Sequence, residues 1–110
     1  MITEAALLYV VAGRELEFEA AFREASPLIA SMPGYFGHSL GRSAEIANAY
    51  LLLVRWETVE HHTQGFRGSP AYDEWKRLLH HFYDPFPVVQ HFRPVFELEP
   101  DLRGSRTRGQ

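Results

Sequence analysis

Apolar and polar residues change their spacing repeatedly along the chain, and each change marks an element. Residues 2–11 are largely apolar and rich in β-formers, and they stop at Ala12-Gly13, which predicts a strand followed by a turn. From Arg14 the period lengthens. Phe18, Phe22, Ala25, Ile29 and Met32 recur at helical spacing, while Glu15, Glu17, Glu19 and Glu24 mostly fall off that stripe, which predicts an amphipathic helix. The early glutamates favour a helix N-terminus electrostatically, and Pro27, which lacks a backbone donor, predicts a kink near Ser26-Pro27. Met32-Pro33-Gly34 closes the helix. Residues 35–42 then alternate Phe36, His38, Leu40 and Arg42 against Tyr35, Gly37, Ser39 and Gly41. That predicts a strand with one nearly bare face, suited to close approach of a partner or a ligand.

After the polar loop 43–48, the continuous apolar run 49–56 reads as a central strand buried on both faces. Thr58 can cap a short helix over 59–64, interrupted by Gly65 and Gly68. Ser69-Pro70 restarts it as N-cap and first-turn proline, followed by Tyr72, Trp75, Leu79 and Phe82 on one face and closed by His80-His81. The linker 83–87, with Pro85 and Pro87, cannot be regular, and residues 88–97 are predicted to form the last strand. Strand, helix, two strands, broken helix and strand is the order of an α+β, ferredoxin-like βαββαβ domain. It is expected to occupy residues 1–99, with residues 100–110 a flexible C-terminal extension.

Composition sharpens this picture. The 110 residues include 45% hydrophobic and 14% aromatic side chains, enough for one core and one domain. With no cysteine there is no disulfide, thiolate nucleophile or cysteine metal site to staple so small a core, which points to completion by self-association as a homodimer. A net charge of −3 argues against nucleic acid, and the cationic residues Arg103, Arg106 and Arg108 are confined to the tail. The N-terminus has no basic leader pattern and no apolar run reaches membrane-spanning length, so a cytoplasmic protein without a membrane partner is expected.

The middle of the chain carries a more specific pointer. Pro33-Gly34-Tyr35-Phe36-Gly37 is followed by Tyr50-Leu51-Leu52-Leu53-Val54-Arg55-Trp56-Glu57, and then by His62, Phe66, Ser69-Pro70, Tyr72 and Trp75. This succession resembles the antibiotic biosynthesis monooxygenase (ABM) family of the dimeric α+β barrel superfamily, over about residues 1 to 97. The resemblance implies a four-stranded antiparallel sheet with helices on one face, and a homodimer whose two sheets pack into a barrel. It also implies a cavity between sheet and helices. Characterised members oxidise aromatic, polyketide-type substrates with molecular oxygen and no metal, flavin or haem, whereas another branch degrades haem.

Cofactor-free oxygenation asks little of a protein. The site must hold an apolar ring, exclude water and manage one proton, for which histidine, tyrosine or arginine suffice. Three residues, His62, Tyr72 and His81, are candidates for catalysis, and His38, Phe66, Trp75 and Phe82 for substrate binding. Tyr72, Trp75, Leu79 and Phe82 also read as a core stripe, and Trp56 as a core residue at a strand end. His61 and His80 are expected to face solvent. No metal site is expected, because adjacent histidines on a helix point about 100° apart. Haem is disfavoured too. The first strand lacks the asparagine of the haem-degrading branch, and Lys76 falls near the position of its iron ligand. The expected function is therefore a cofactor-independent monooxygenase acting on a small aromatic, quinol- or polyketide-type metabolite with O2 as co-substrate. The alternative is a non-catalytic dimeric domain that binds a small ligand or serves a stress-related role.

Overall fold

The computed structural model describes residues 1–100. The chain runs β1 (Ile2–Tyr9), α1 (Glu15–Ala30), β2 (Tyr35–Arg42), β3 (Ala49–Trp56), a π-helical turn (His61–Phe66), α2 (Pro70–Leu79), a 3-10 turn (His80–Phe82) and β4 (Val89–Phe92). The strands form one antiparallel sheet in the order β2-β3-β1-β4, with β1 opposite β3 from Ile2↔Trp56 to Tyr9↔Ala49.

Strand alternation decides what faces the core. Ile2, Glu4, Ala6 and Leu8 of β1 and Tyr50, Leu52, Val54 and Trp56 of β3 are buried beneath the helices. α1 adds Phe18, Phe22, Ala25 and Ile29, and α2 with the turn after it adds Trp75, Leu79 and Phe82. Phe18 meets Tyr50 edge-on at 5.0 Å and Phe82 at 5.7 Å, so aromatic packing fills the layer between sheet and helices. The helix continues through Pro27, which lies on its exposed side. Ser26 Oγ donates to the Phe22 carbonyl at 3.0 Å one turn back.

Several expectations are corrected. Among the described residues the sheet is open, with β2 and β4 as its edges and no closure into a barrel. Strand β3 is central but buried on one face only, since Leu51 on the other face is exposed. β4 spans Val89–Phe92 rather than 88–97, because Pro94 cannot donate to a ladder and the chain leaves the sheet before it. β1 ends at Tyr9, beyond which Val10 keeps only an isolated bridge to Tyr83. The short helix over 59–64 is instead mostly a π-helical turn, in which Arg67 N donates to the His62 carbonyl at 3.1 Å. Thr58 Oγ1 accepts from His61 N at 3.2 Å at its start.

Two glycines have a structural reason to be there. Gly37, at φ +128° beside the β2 bulge, lies under the guanidinium of Arg55, which donates to the Phe36 carbonyl at 2.8 Å. Gly34, at φ +80°, leaves room for the His61 ring. Among the described residues no helix is long and apolar enough to cross a membrane. Apart from Pro100, the expected tail with its arginines lies outside the described residues.

Candidate functional site

A cavity of about 330 Å³ opens between the sheet and the broken second helix. Its floor is Glu4, Ala6 and Leu8 of β1, Leu52 of β3 and Val89 of β4, and Ile29 closes the α1 side. His62, Phe66 and Arg67 come from the π-helical turn and its end, Tyr72 and Trp75 from α2, and His80, Tyr83, Phe86 and Pro87 from the segment after it. Ser69 holds the break between the two helical pieces. Its Oγ donates to the Phe66 carbonyl at 2.7 Å and accepts from Tyr72 N at 3.3 Å, which caps α2. The aromatic wall is continuous, with Phe66 5.2 Å from Tyr72 and 5.6 Å from Trp75, both edge-on.

The polar side of the cavity is a buried chain of four groups. Trp56 Nε1 donates to Glu4 Oε1 at 2.9 Å. His62 Nε2 lies 3.4 Å from the same carboxylate oxygen, and His62 Nδ1 is paired with His91 Nε2 at 2.8 Å. The His62 ring stacks on the Trp56 indole, with centroids 5.7 Å apart and planes 21° apart. Glu4 is 5% exposed and His62 3%, whereas His91 on the edge strand is half-buried. The chain therefore leads from the cavity toward the edge of the sheet.

Burial disfavours charge on both central groups. It raises the Glu4 pKa above the usual carboxylate value, against the Trp56 hydrogen bond and the Arg67 charge, which lower it. It lowers the His62 pKa to about 3, helped by Arg67 and His91. The ordinary order is thereby inverted, and a proton delivered to the pair rests on the carboxylate while the imidazole stays neutral. Burial also raises the Tyr72 and Tyr83 phenols and lowers His80 and His91. Among the described residues no three histidine, aspartate or glutamate side chains are grouped to hold a metal ion. Within the buried chain, His62 turns opposite ring nitrogens to Glu4 and His91, so it cannot bring both toward one ion.

Of the seven candidates read from the sequence, the fold gathers His62, Phe66, Tyr72 and Trp75 around this cavity. His81 is exposed and Phe82 is buried in the core, and neither lines it. His38 sits elsewhere, between α1 and β2. Because Ser26 Oγ donates to Phe22, His38 Nε2 donates to Ser26 Oγ at 2.9 Å, and Nδ1 accepts from Tyr35 Oη at 2.6 Å. That ring is fully partnered as a neutral strut, and burial lowers its pKa accordingly. His80, expected in solvent, is instead half-buried and lines the cavity, since the 3-10 turn rotates it beneath Phe86, 5.0 Å away. Sequence reasoning missed Glu4, Arg67, Tyr83 and His91. For Glu4 a signal existed: it occupies an inward position of β1 between apolar Ile2, Ala6 and Leu8.

Comparison with known proteins gives a consistent assignment. The family model for antibiotic biosynthesis monooxygenase matches residues 1–78. YczJ of Bacillus subtilis (strain 168), an uncharacterized protein, is 58% identical over 95 residues, covering 86% of this chain and 100% of that protein. A solved structure from Bordetella bronchiseptica, assigned to the same family, is 39% identical with a TM-score of 0.83, over 86% of this chain and 97% of that one. SnoaB of Streptomyces nogalater, a cofactor-independent oxygenase, shares the fold at 20% identity, with a TM-score of 0.78 over 90% of this chain and 97% of that one.

Proposed function

The chain belongs to the antibiotic biosynthesis monooxygenase family, and we propose that it is a cofactor-independent oxygenase of small aromatic or quinol-type metabolites. One observation carries this reading: a buried carboxylate–imidazole pair, Glu4 and His62, forms the only inward-facing acid–base couple of an aromatic-walled cavity among the described residues. A cavity packed solid by its aromatic side chains would have favoured a purely structural role. Here Phe66 and Trp75 border open space instead.

In the proposed reaction an anthrone or hydroquinone lies along Phe66 and Trp75 with its acidic C–H or O–H toward the pair. Glu4, held by His62, takes that proton, and the anion gives one electron to O2. For an anthrone, the carbon radical and superoxide combine to form the C–O bond of a peroxide. The peroxide loses water to leave a quinone carbonyl, so one oxygen atom enters the product and the other leaves as water. The reacting CH2 carbon supplies all four electrons that reduce O2, so no external reductant is needed, and the abstracted proton ends in that water. Within the pair, Glu4 holds the proton and neutral His62 connects it to His91 and the sheet edge. Tyr72, un-ionised because burial raises its pKa, donates a hydrogen bond to the substrate oxygen. The apolar walls keep bulk water from the radical pair.

The same reading assigns a homodimer. The sheet's outer face carries exposed Leu7, Leu51 and Phe92, opposite the face covered by the helices. The functional test is oxygen uptake with a panel of anthrones, hydroquinones and flavonoid-like phenols, comparing wild type with His62→Ala. No uptake above the spontaneous rate across the panel would overturn the proposal.

A further inference from the structure

Among the described residues that line the cavity, Arg67 carries a charge that no hydrogen bond or ion pair engages. Its guanidinium stands at the exposed end of the π-helical turn, directly after Phe66. Among the described residues the ion pairs engage Arg14, Arg42, Lys76, Arg77, His61 and His62, and none engages Arg67. The carboxylate that shares its cavity, Glu4, is committed to Trp56 and His62. Arg67 is exposed, yet it lines the cavity. Its charge favours a lower pKa at Glu4, His62, His91 and Tyr72, in each case as a smaller influence than burial.

An unpaired guanidinium beside apolar walls is a planar, two-pronged receptor for a carboxylate. The volume, about 330 Å³, suits a small ring system. We infer that the ligand is an aromatic acid, with its ring between Phe66, Tyr72 and Trp75 and its carboxylate on Arg67. This rests on the reading that the cavity is the substrate site, and it deepens that reading by giving the substrate a charge and an orientation. With the acid group fixed at the mouth, the far side of the ring is the part presented to Glu4 and His62.

The test is calorimetric titration with naphthoate and its neutral isostere naphthamide, neither of which needs to be oxidised to be read. Wild type should bind naphthoate about tenfold tighter or more. In Arg67→Gln the two probes should bind alike, with the naphthamide affinity and the melting temperature unchanged, and Arg67→Lys should keep part of the preference. Equal binding of both probes by wild type, a preference that survives Arg67→Gln, or no binding of either probe would overturn the inference. Equal binding would leave the oxygenase reading intact. Conversely, a naphthoate preference in a protein that consumes no oxygen would remove the oxygenase reading and leave the acid site standing.

Discussion

Trp56 and Glu4 are diagonal neighbours on the inner face of the sheet, and the indole Nε1 donates to the carboxylate at 2.9 Å. The same oxygen faces His62 at 3.4 Å, while the His62 ring stacks on the indole that bonds Glu4. Each member of this trio is held by the other two, which fixes a titratable carboxylate in the floor of an apolar cavity. Strand register, aromatic packing and site chemistry meet at this contact.

Replacing Glu4 separates its structural role from its chemical one. In Glu4→Gln the amide oxygen still accepts from Trp56, so the fold is retained. Burial raises the Glu4 pKa, so the stability linked to its protonated form is present below its ordinary value of 4.5 and lost as pH rises through the folded value. Glu4→Gln should therefore melt at or above wild type at neutral pH, with the advantage shrinking toward pH 4. Glu4→Ala leaves the buried indole N–H without a partner and should cost about 1–3 kcal/mol in denaturant unfolding.

His62 gives the opposite pH dependence. With its pKa lowered to about 3, its contribution to stability is full above the ordinary histidine value of 6.5 and lost as pH falls toward 3. His38, His80 and His91 shift in the same direction. Stability measured by denaturant titration should fall steadily on acidification below that ordinary value. In His62→Gln the slope should be shallower by about one proton.

Ser69 ties the two halves of the broken helix together. Ser69→Ala removes the α2 cap and the bond to the Phe66 carbonyl, and should cost about 1 kcal/mol. Ser69→Asp, which restores the cap alone, should recover part of that loss in the denaturation midpoint.

Self-association has its own readout. Light scattering should give twice the chain mass for wild type, and Leu51→Lys should shift the population to monomer. Leu51 is 44% exposed in the single chain, so the substitution leaves the core untouched. A stable folded monomer of wild type at micromolar concentration would contradict the homodimer.

Much of the fold was legible because periodicity reports local geometry. The stripe Phe18, Phe22, Ala25 and Ile29 marked α1, and Ser69-Pro70 marked the start of α2. The last strand was overdrawn, because apolar Val95 and Phe96 read as strand although both are exposed after Pro94. For the site, one segment supplied what the sequence could show: His62, Phe66, Tyr72 and Trp75 surround a single helix break. Glu4 and His91 come from β1 and β4, and only the pairing Glu4↔His91 brings them together. No local pattern carries that register. The pair His80-His81 was assigned the wrong way round for a related reason, since a 3-10 turn orients the two rings differently from a continued α-helix.

Oxygen uptake by chelator-treated protein tests the central claim most directly, comparing wild type, His62→Ala, Glu4→Gln and the exposed control Leu16→Ala on one anthrone or hydroquinone substrate. The account predicts uptake well above the spontaneous rate for wild type and Leu16→Ala, with a loss of about 100-fold or more in Glu4→Gln, the usual contribution of a positioned proton acceptor, and a clear loss in His62→Ala, which removes the link from Glu4 to His91. Equal rates in all four proteins, or uptake by none, would contradict it.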